Sequence, residues 1–267
     1  MARVRVVSVT SGKGGVGKSH LAANLATLWA KDGKRVLIID ADGGLSNVDV
    51  LLGAKPVMHL GDLLDGASLD DVLLEVRPGL SLLPGAPGER RLAQLDDGAR
   101  SVLTAAWEAL LPRYDAVVVD VGSGVGDDVL FFTSAGQMAL LVVTDEPTSI
   151  ADAAVLLRAL RSRTAVREVE VVVNGVRTSR SSQAVFARLH QLLGNTELCL
   201  RLISNIPEDQ NLRRAAMAGK PLVEIAPTSP ASRAFERLAQ TLNTAPQRTP
   251  SGGLWLTEAL LTTEPGS

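Results

Sequence analysis

Gly12-Lys13-Gly14-Gly15-Val16-Gly17-Lys18-Ser19 follows an apolar run from Val4 to Val9, broken only by Arg5 and Ser8, and opens into a helical pattern from His20 to Trp29. Strand, glycine-rich loop and helix, in that order, is the context a phosphate-binding loop requires. Glycines let backbone N–H groups turn inward and approach phosphate oxygens where a Cβ would clash. The following helix adds its positive N-terminal end. Lys18 supplies a point charge for the β- and γ-phosphates, and the Ser19 hydroxyl is a hard oxygen ligand for Mg²⁺. An ordinary glycine-rich turn would need neither the Gly-Lys-Ser ending nor this flanking pattern.

The surrounding chain has 267 residues, 46% of them hydrophobic, enough to bury one large core. The pattern predicts a single α/β domain over residues 1–243 and a Thr/Pro/Ser/Gly-rich tail over 244–267. Net charge is −2 but unevenly spread. Residues 1–150 hold 13 Lys and Arg against 19 Asp and Glu, a net of −6; residues 151–248 hold 14 against 8, a net of +6. Such a balance excludes a bulk nucleic-acid binder and leaves room for a basic patch in the second half. Cys199 is the sole cysteine, which excludes an internal disulfide and a four-cysteine cluster. Its apolar run, Leu198 to Ile203, predicts a buried thiol. His20, His59 and His190 are scattered without ligand spacing, which argues against zinc. With no leader and no window of about 18 apolar residues, the expected location is cytoplasmic.

Strands are expected near Val4–Thr10, Arg35–Asp40, Leu80–Leu83, Ala116–Asp120, Ala139–Val143, Glu168–Asn174 and Leu200–Ile206. Helical patterns such as Ile150–Arg161 and Gln183–Leu193 separate most of them. Near-continuous apolar strands alternating with helices predict a mostly parallel, doubly wound sheet with helices on both faces. Ligands then sit at the carboxyl ends of the strands. Two candidate low-order segments stand out, the bend Pro84 to Gly88 and the tail from Thr244.

Acids fall where that rule places them. The second strand ends in Asp40-Ala41-Asp42 and the fourth in Asp120. Carboxylates there can hold Mg²⁺ or orient an attacking water, and on spacing alone a helix cap or solvated turn is the alternative for the first two. Asp120 is placed to fix the Mg²⁺ shell from beside Ser19. Asn174 ends another strand with an amide able to offer donor and acceptor to a base edge. Pro207, near Asp209, ends the last.

The second lysine of the loop, Lys13, has no role in a cradle already served by Lys18. This Lys-Gly-Gly-x-Gly-Lys-Ser form resembles the deviant Walker A loop of the MinD/ParA family of ATPases. Asp40 to Gly53, Asp127 to Phe132, Thr144 to Ala153 and Asn211 to Val223 further resemble its flagellar-number regulators, the FlhG/FleN branch. The resemblance spans roughly residues 3–242. It implies ATP and Mg²⁺ as ligands, with Gly12, Lys13, Gly14, Gly15, Val16, Gly17, Lys18, Ser19 and His20 around the phosphates. It implies Ser19, Asp40 and Asp120 near the metal, and Asn174, Pro207 and Asp209 near adenine. Lys13, Lys18 and Asp42 become the catalytic set: Lys13 crosses to a partner's ATP in a homodimer, and Asp42 activates water. Glu146 falls on the dimer face.

Implied partners are a second copy, an FlhF-like GTPase, and flagellar switch or transcription-regulator proteins, with a location at the membrane periphery or cell pole. Three features depart from that pattern. Val121 replaces a hydroxyl residue after Asp120, which bears on hydrolysis. No N-terminal extension precedes the first strand, which counts against stimulation of a GTPase. The tail Leu254–Leu261 is apolar with Glu258 and no basic residue after Arg248, so lipid, another protein and the chain's own surface all remain open as its target. Two other outputs stay open as well: ATP-dependent DNA partition of the ParA type, and Min-type positioning of the division site.

Overall fold

Branched apolar side chains line both faces of the strands, and the sheet forms at the middle of the molecule because both faces must be covered. The computed structural model describes residues 4–44, 46–86, 88, 96–195 and 197–246. Its strands are β1 (Arg5–Ser11), β2 (Val36–Ala41), β3 (Leu74–Arg77), β4 (Leu80–Leu83), β5 (Ala116–Ser123), β6 (Met138–Val143), β7 (Glu168–Val176) and β8 (Cys199–Pro207). They lie side by side in the order β3-β4-β2-β5-β1-β6-β7-β8. Every neighbouring pair is parallel except β3 with β4. The doubly wound sheet expected from the sequence is therefore present, with one addition. β3 carries the half-polar string Leu-Glu-Val-Arg, too short and too charged to register as a strand until β4 pairs with it.

The helices are α1 (Lys18–Lys31), α2 (Val48–Leu52), α3 (Leu69–Val72), α4 (Asp97–Leu110), α5 (Asp127–Ser134), α6 (Pro147–Arg163), α7 (Ser179–Leu193), α8 (Asn211–Met217), α9 (Leu222–Ile225) and α10 (Pro230–Thr244). Alternation along the strands sorts the core into two layers. Val117 and Val119 face the layer built by α4, α5, α6 and α7. Val118 faces the layer of α1, α2, α8, α9 and α10. β1 sits between β5 and β6, where the winding reverses, and α1 crosses the sheet directly after it. That reversal opens a crevice at the carboxyl end of β1.

One expectation requires correction. Cys199 is exposed, not buried. It opens the edge strand β8, where Leu200 points into the core while Cys199 and Arg201 alternate onto the uncovered side. In the bend after β4, three of the described residues make contacts. Pro84 O accepts from Leu60 N at 2.7 Å, Ala86 is buried, and Gly88 N donates to Gly43 O at 3.2 Å. Leu45, Pro87 and residues 247–267, including the predicted tail segment Leu254–Leu261, lie outside the described residues.

Helix α1 is wedged between the sheet and α10, and its anchor is Trp29, fully buried, with Nε1 donating to Ala239 O at 3.3 Å. Truncating a buried aromatic leaves a cavity its neighbours fill only in part. Trp29→Ala should therefore cost about 3–5 kcal/mol in urea unfolding. A loss below about 1 kcal/mol would show that this packing does not hold α1 in place.

Candidate functional site

The loop Gly12–Gly17 turns at the carboxyl end of β1 and hands the chain to α1 through Gly17, at φ 96°. An L side chain is strained there, and space is equally short. A Cβ on Gly17 would stand 2.3 Å from Asn174 Nδ2. Gly12 is closer still to a neighbour, because its Cβ would meet the backbone of Asp152 at 2.2 Å. The loop is thus pressed between α6 and β7, and α1 begins with no side-chain cap on its first N–H groups. Free N–H groups at the start of a helix, over a loop of glycines, form an anion cradle.

Lys18 is buried at the floor of this cradle, beside Asp120. Asp120 ends the apolar part of β5 and is opposite Asp40 of β2 in register. Burial pushes the Asp120 carboxyl up to about 8, and repulsion from Asp40 adds to this; the Ser19 hydroxyl and Lys18 act against it. Asp120 Oδ1 is buried with no hydrogen-bond partner among the described residues. Asp40 is also pushed up by burial, opposed by hydrogen bonds from Ser46, Val48 and Asp42. Its Oδ2 accepts from Ser46 Oγ at 2.6 Å and from the N–H groups of Asn47 and Val48 at 3.1 Å each, so it caps α2. Asp42 is half-buried, and its Oδ1 stands 3.7 Å from where a Cβ on Gly122 would be. Asp128, at the start of α5, is raised by burial and faces the Asp42 charge as well.

This concentration of carboxylates around one lysine calls for a further cation, and the orphaned oxygen of Asp120 beside Ser19 suits Mg²⁺. Among the described residues, no trio of His, Cys, Asp or Glu is arranged to hold an ion by itself. Mg²⁺ needs no such trio, since it keeps water and takes one or two protein oxygens together with phosphate.

Lys13 lies elsewhere. Its Nζ donates to Glu146 Oε2 at 2.5 Å and to Thr148 Oγ1 at 2.8 Å, at the entrance to α6. Asn174 Nδ2 donates to Val16 O at 2.7 Å, fastening the end of β7 to the loop. Pro207 ends β8 next to it, opposite Val176. Asp209 works as a clamp: Oδ1 accepts from Asn211 N and Nδ2 at 2.9 Å, and Oδ2 from Ala231 N at 3.3 Å. Burial alone would raise its pKa, but hydrogen bonds from Ser229, Asn211 and Ala231 outweigh it and hold it low. His20 is half-buried, and burial lowers its pKa from the usual imidazole range.

Sequence reasoning missed Thr148, Ser46 and Gly85. A Cβ on Gly85 would meet Ser46 Oγ at 2.7 Å and Asp40 O at 2.9 Å. Only the Pro/Gly composition of that bend hinted at so close an approach.

Fold and site together define a P-loop nucleotide-binding protein of the doubly wound α/β class. A family model described as the CobQ/CobB/MinD/ParA nucleotide binding domain matches residues 7–222, and the chain belongs to that family. It is 38% identical to the antiactivator FleN of Pseudomonas aeruginosa, over 92% of this chain and 89% of that protein. It is 33% identical to the flagellum site-determining protein YlxH of Helicobacter pylori, over 89% and 81%. The solved septum site-determining protein MinD of Pyrococcus horikoshii, complexed with Mg-ADP, superposes with a TM-score of 0.74 at 25% identity, covering 90% of this chain and 96% of that one.

A buried carboxyl with a raised pKa destabilises the fold in its charged form. Stability from the neutral acid is full below its unfolded pKa and is lost as pH rises through about 8. Asp120→Asn should therefore raise the melting temperature of the nucleotide-free chain by a few degrees, roughly 2–4 °C per kcal/mol, at about pH 8.5. The gain should shrink as pH falls toward about 5. A melting series against pH checks it, and a constant offset at all pH values would count against a charged Asp120.

Proposed function

We propose that the chain is an ATP-dependent dimerising switch of the FlhG/FleN kind, which controls flagellar number or placement through partners that bind only one nucleotide state. The observation that carries this is the division of labour between the two lysines. Lys18 is buried in its own cradle, whereas Lys13 is turned out of it onto Glu146 and Thr148 at the surface. A lysine that does not serve its own site is available to the site of a second copy. The similarity to an antiactivator and to a flagellum site-determining protein supports this output.

In this scheme Ser19 and Asp120 hold Mg²⁺ with Asp40 behind them, and the ion would neutralise charge on the phosphates. Gly12 to Ser19 bind the phosphates and His20 borders them. Asn174 and Pro207 receive the adenine, with Asp209 fixing the segment after Pro207. Asp42, next to Gly122, orients the water that attacks the γ-phosphate. Val121, fully buried, brings no hydroxyl to that step, in keeping with slow hydrolysis that a partner accelerates. Partners would include an FlhF-like GTPase and flagellar switch or transcription-regulator proteins. No helix among the described residues is long and apolar enough to cross a membrane. Partition of DNA and division-site positioning remain the alternative outputs of the same switch.

Three variants test it by light scattering on a sizing column, alongside titration with a labelled ATP analogue. Lys18→Ala should weaken nucleotide binding by about 100-fold, the consequence of removing a buried charge partner. Asp42→Ala should bind ATP normally and persist as a dimer; a protein that binds ATP yet stays monomeric would overturn the switch. Glu146→Gln should release Lys13 and lower the ATP needed for half-maximal dimerisation. The change should not exceed about fivefold, because an exposed ion pair contributes roughly 0–1 kcal/mol.

A further inference from the structure

Helices α2 and α8 both spring from the site and meet on the surface away from it. At one end, Asp40 caps α2 through Asn47 and Val48. At the other, Asp209 accepts from the N–H of Asn211, the first residue of α8. The two helices are then locked by glycines. A Cβ on Gly53, which ends α2, would stand 2.7 Å from Gly219 O, and one on Gly219 would stand 3.3 Å from Val50 O. Side chains cannot intervene, so a shift of α2 must be felt by the turn that follows α8.

Beside this lock lie two large apolar side chains facing water: Met217, 81% exposed, and Val50, 57% exposed. Arg213 and Arg214 precede Met217 by four and three residues and are also exposed, which places all three on one face of α8. Lys220 follows immediately and is exposed too. None of these three cations has a carboxylate partner among the described residues. The one acid on either helix, Asp49, is half-buried.

An apolar centre with a charged rim is the anatomy of a protein interface, and methionine adapts its shape to what it meets. We propose that the α2–α8 face is a docking surface for an acidic protein segment with an apolar anchor, and that its affinity changes with the nucleotide state. The anchor seats against Met217 and Val50, while carboxylates of the partner meet Arg213, Arg214 and Lys220. A phosphate-tracking surface would have no use for the exposed methionine at its centre. Two apolar side chains on short helices are too little to insert into a lipid interface. The nucleotide dependence rests on the switch proposed above; the docking does not.

The test uses the full chain and two labelled helical peptides of about 15 residues, followed by fluorescence anisotropy. Both carry one leucine stripe, flanked by glutamates in one and by lysines in the other. Duplex DNA and anionic vesicles serve as competitors. The glutamate peptide should bind at least about tenfold more tightly than the lysine peptide. Met217→Ser and the pair Arg213→Glu/Arg214→Glu should each weaken it about fivefold or more. The pair Arg233→Glu/Arg237→Glu, exposed on α10, should leave it unchanged. In the Asp42→Ala background, affinity should differ about threefold between Mg-ADP and Mg-ATP. Lack of preference for the acidic peptide, equal loss in the α10 variant, or displacement by DNA or vesicles alone overturns the docking. Equal affinity in both nucleotides, with ATP still bound, overturns the coupling. A chain that binds no ATP defeats the switch instead, and the nucleotide-free titration still decides the docking.

Discussion

Two carboxylates, Asp40 and Asp120, are buried side by side at the carboxyl edge of a parallel sheet, with Lys18 as the cation beside them. Placing acids there is costly, and the molecule is arranged to offset that cost. Asp40 is satisfied by one hydroxyl and several backbone N–H groups, so it becomes structural as well as chemical. Asp120 is left with an oxygen that no described residue satisfies. A site with one unmet acceptor next to a glycine cradle is built to be completed from outside.

Glycine makes this arrangement physically possible at three separate joints. Gly12 lets α6 approach the loop, Gly17 lets Asn174 grip it, and Gly85 lets the bend after β4 close on Asp40. In each case a methyl group would collide with backbone or with a functional side chain. The loop is therefore not a free appendage of β1. It is fastened to helices and strands on both sides, and displacing it moves them.

The two outward-facing features follow from these attachments. Lys13 is held to the entrance of α6, the helix that backs against Gly12, so loop and helix face outward as one surface. On another side, α2 and α8 carry the capping acids of the site to a patch where exposed methionine and arginines sit together. Short caps and glycine contacts provide stiff connections, which is what transmission between a small site and a large partner demands.

Much of this was legible in the chain itself. The glycine loop, the apolar strands and the acids at their ends are local patterns, and local patterns dictate local structure. They were sufficient for the doubly wound sheet and for putting Asp40 and Asp120 toward the carboxyl ends of neighbouring strands. Family resemblance in residue order then specified which nucleotide-binding class it is. The sequence could not show β3, whose charged string becomes a strand only by pairing with β4. Nor could it show that Cys199 faces water, because exposure on an edge strand depends on which face its neighbours leave uncovered. The contacts of Lys13 with Glu146, of Asn174 with Val16 and of Gly53 with Gly219 join residues 133, 158 and 166 positions apart. No periodicity encodes such distances. They are decided when the sheet order brings separate strand ends to one edge, and only then does a list of candidate residues become a site with a direction.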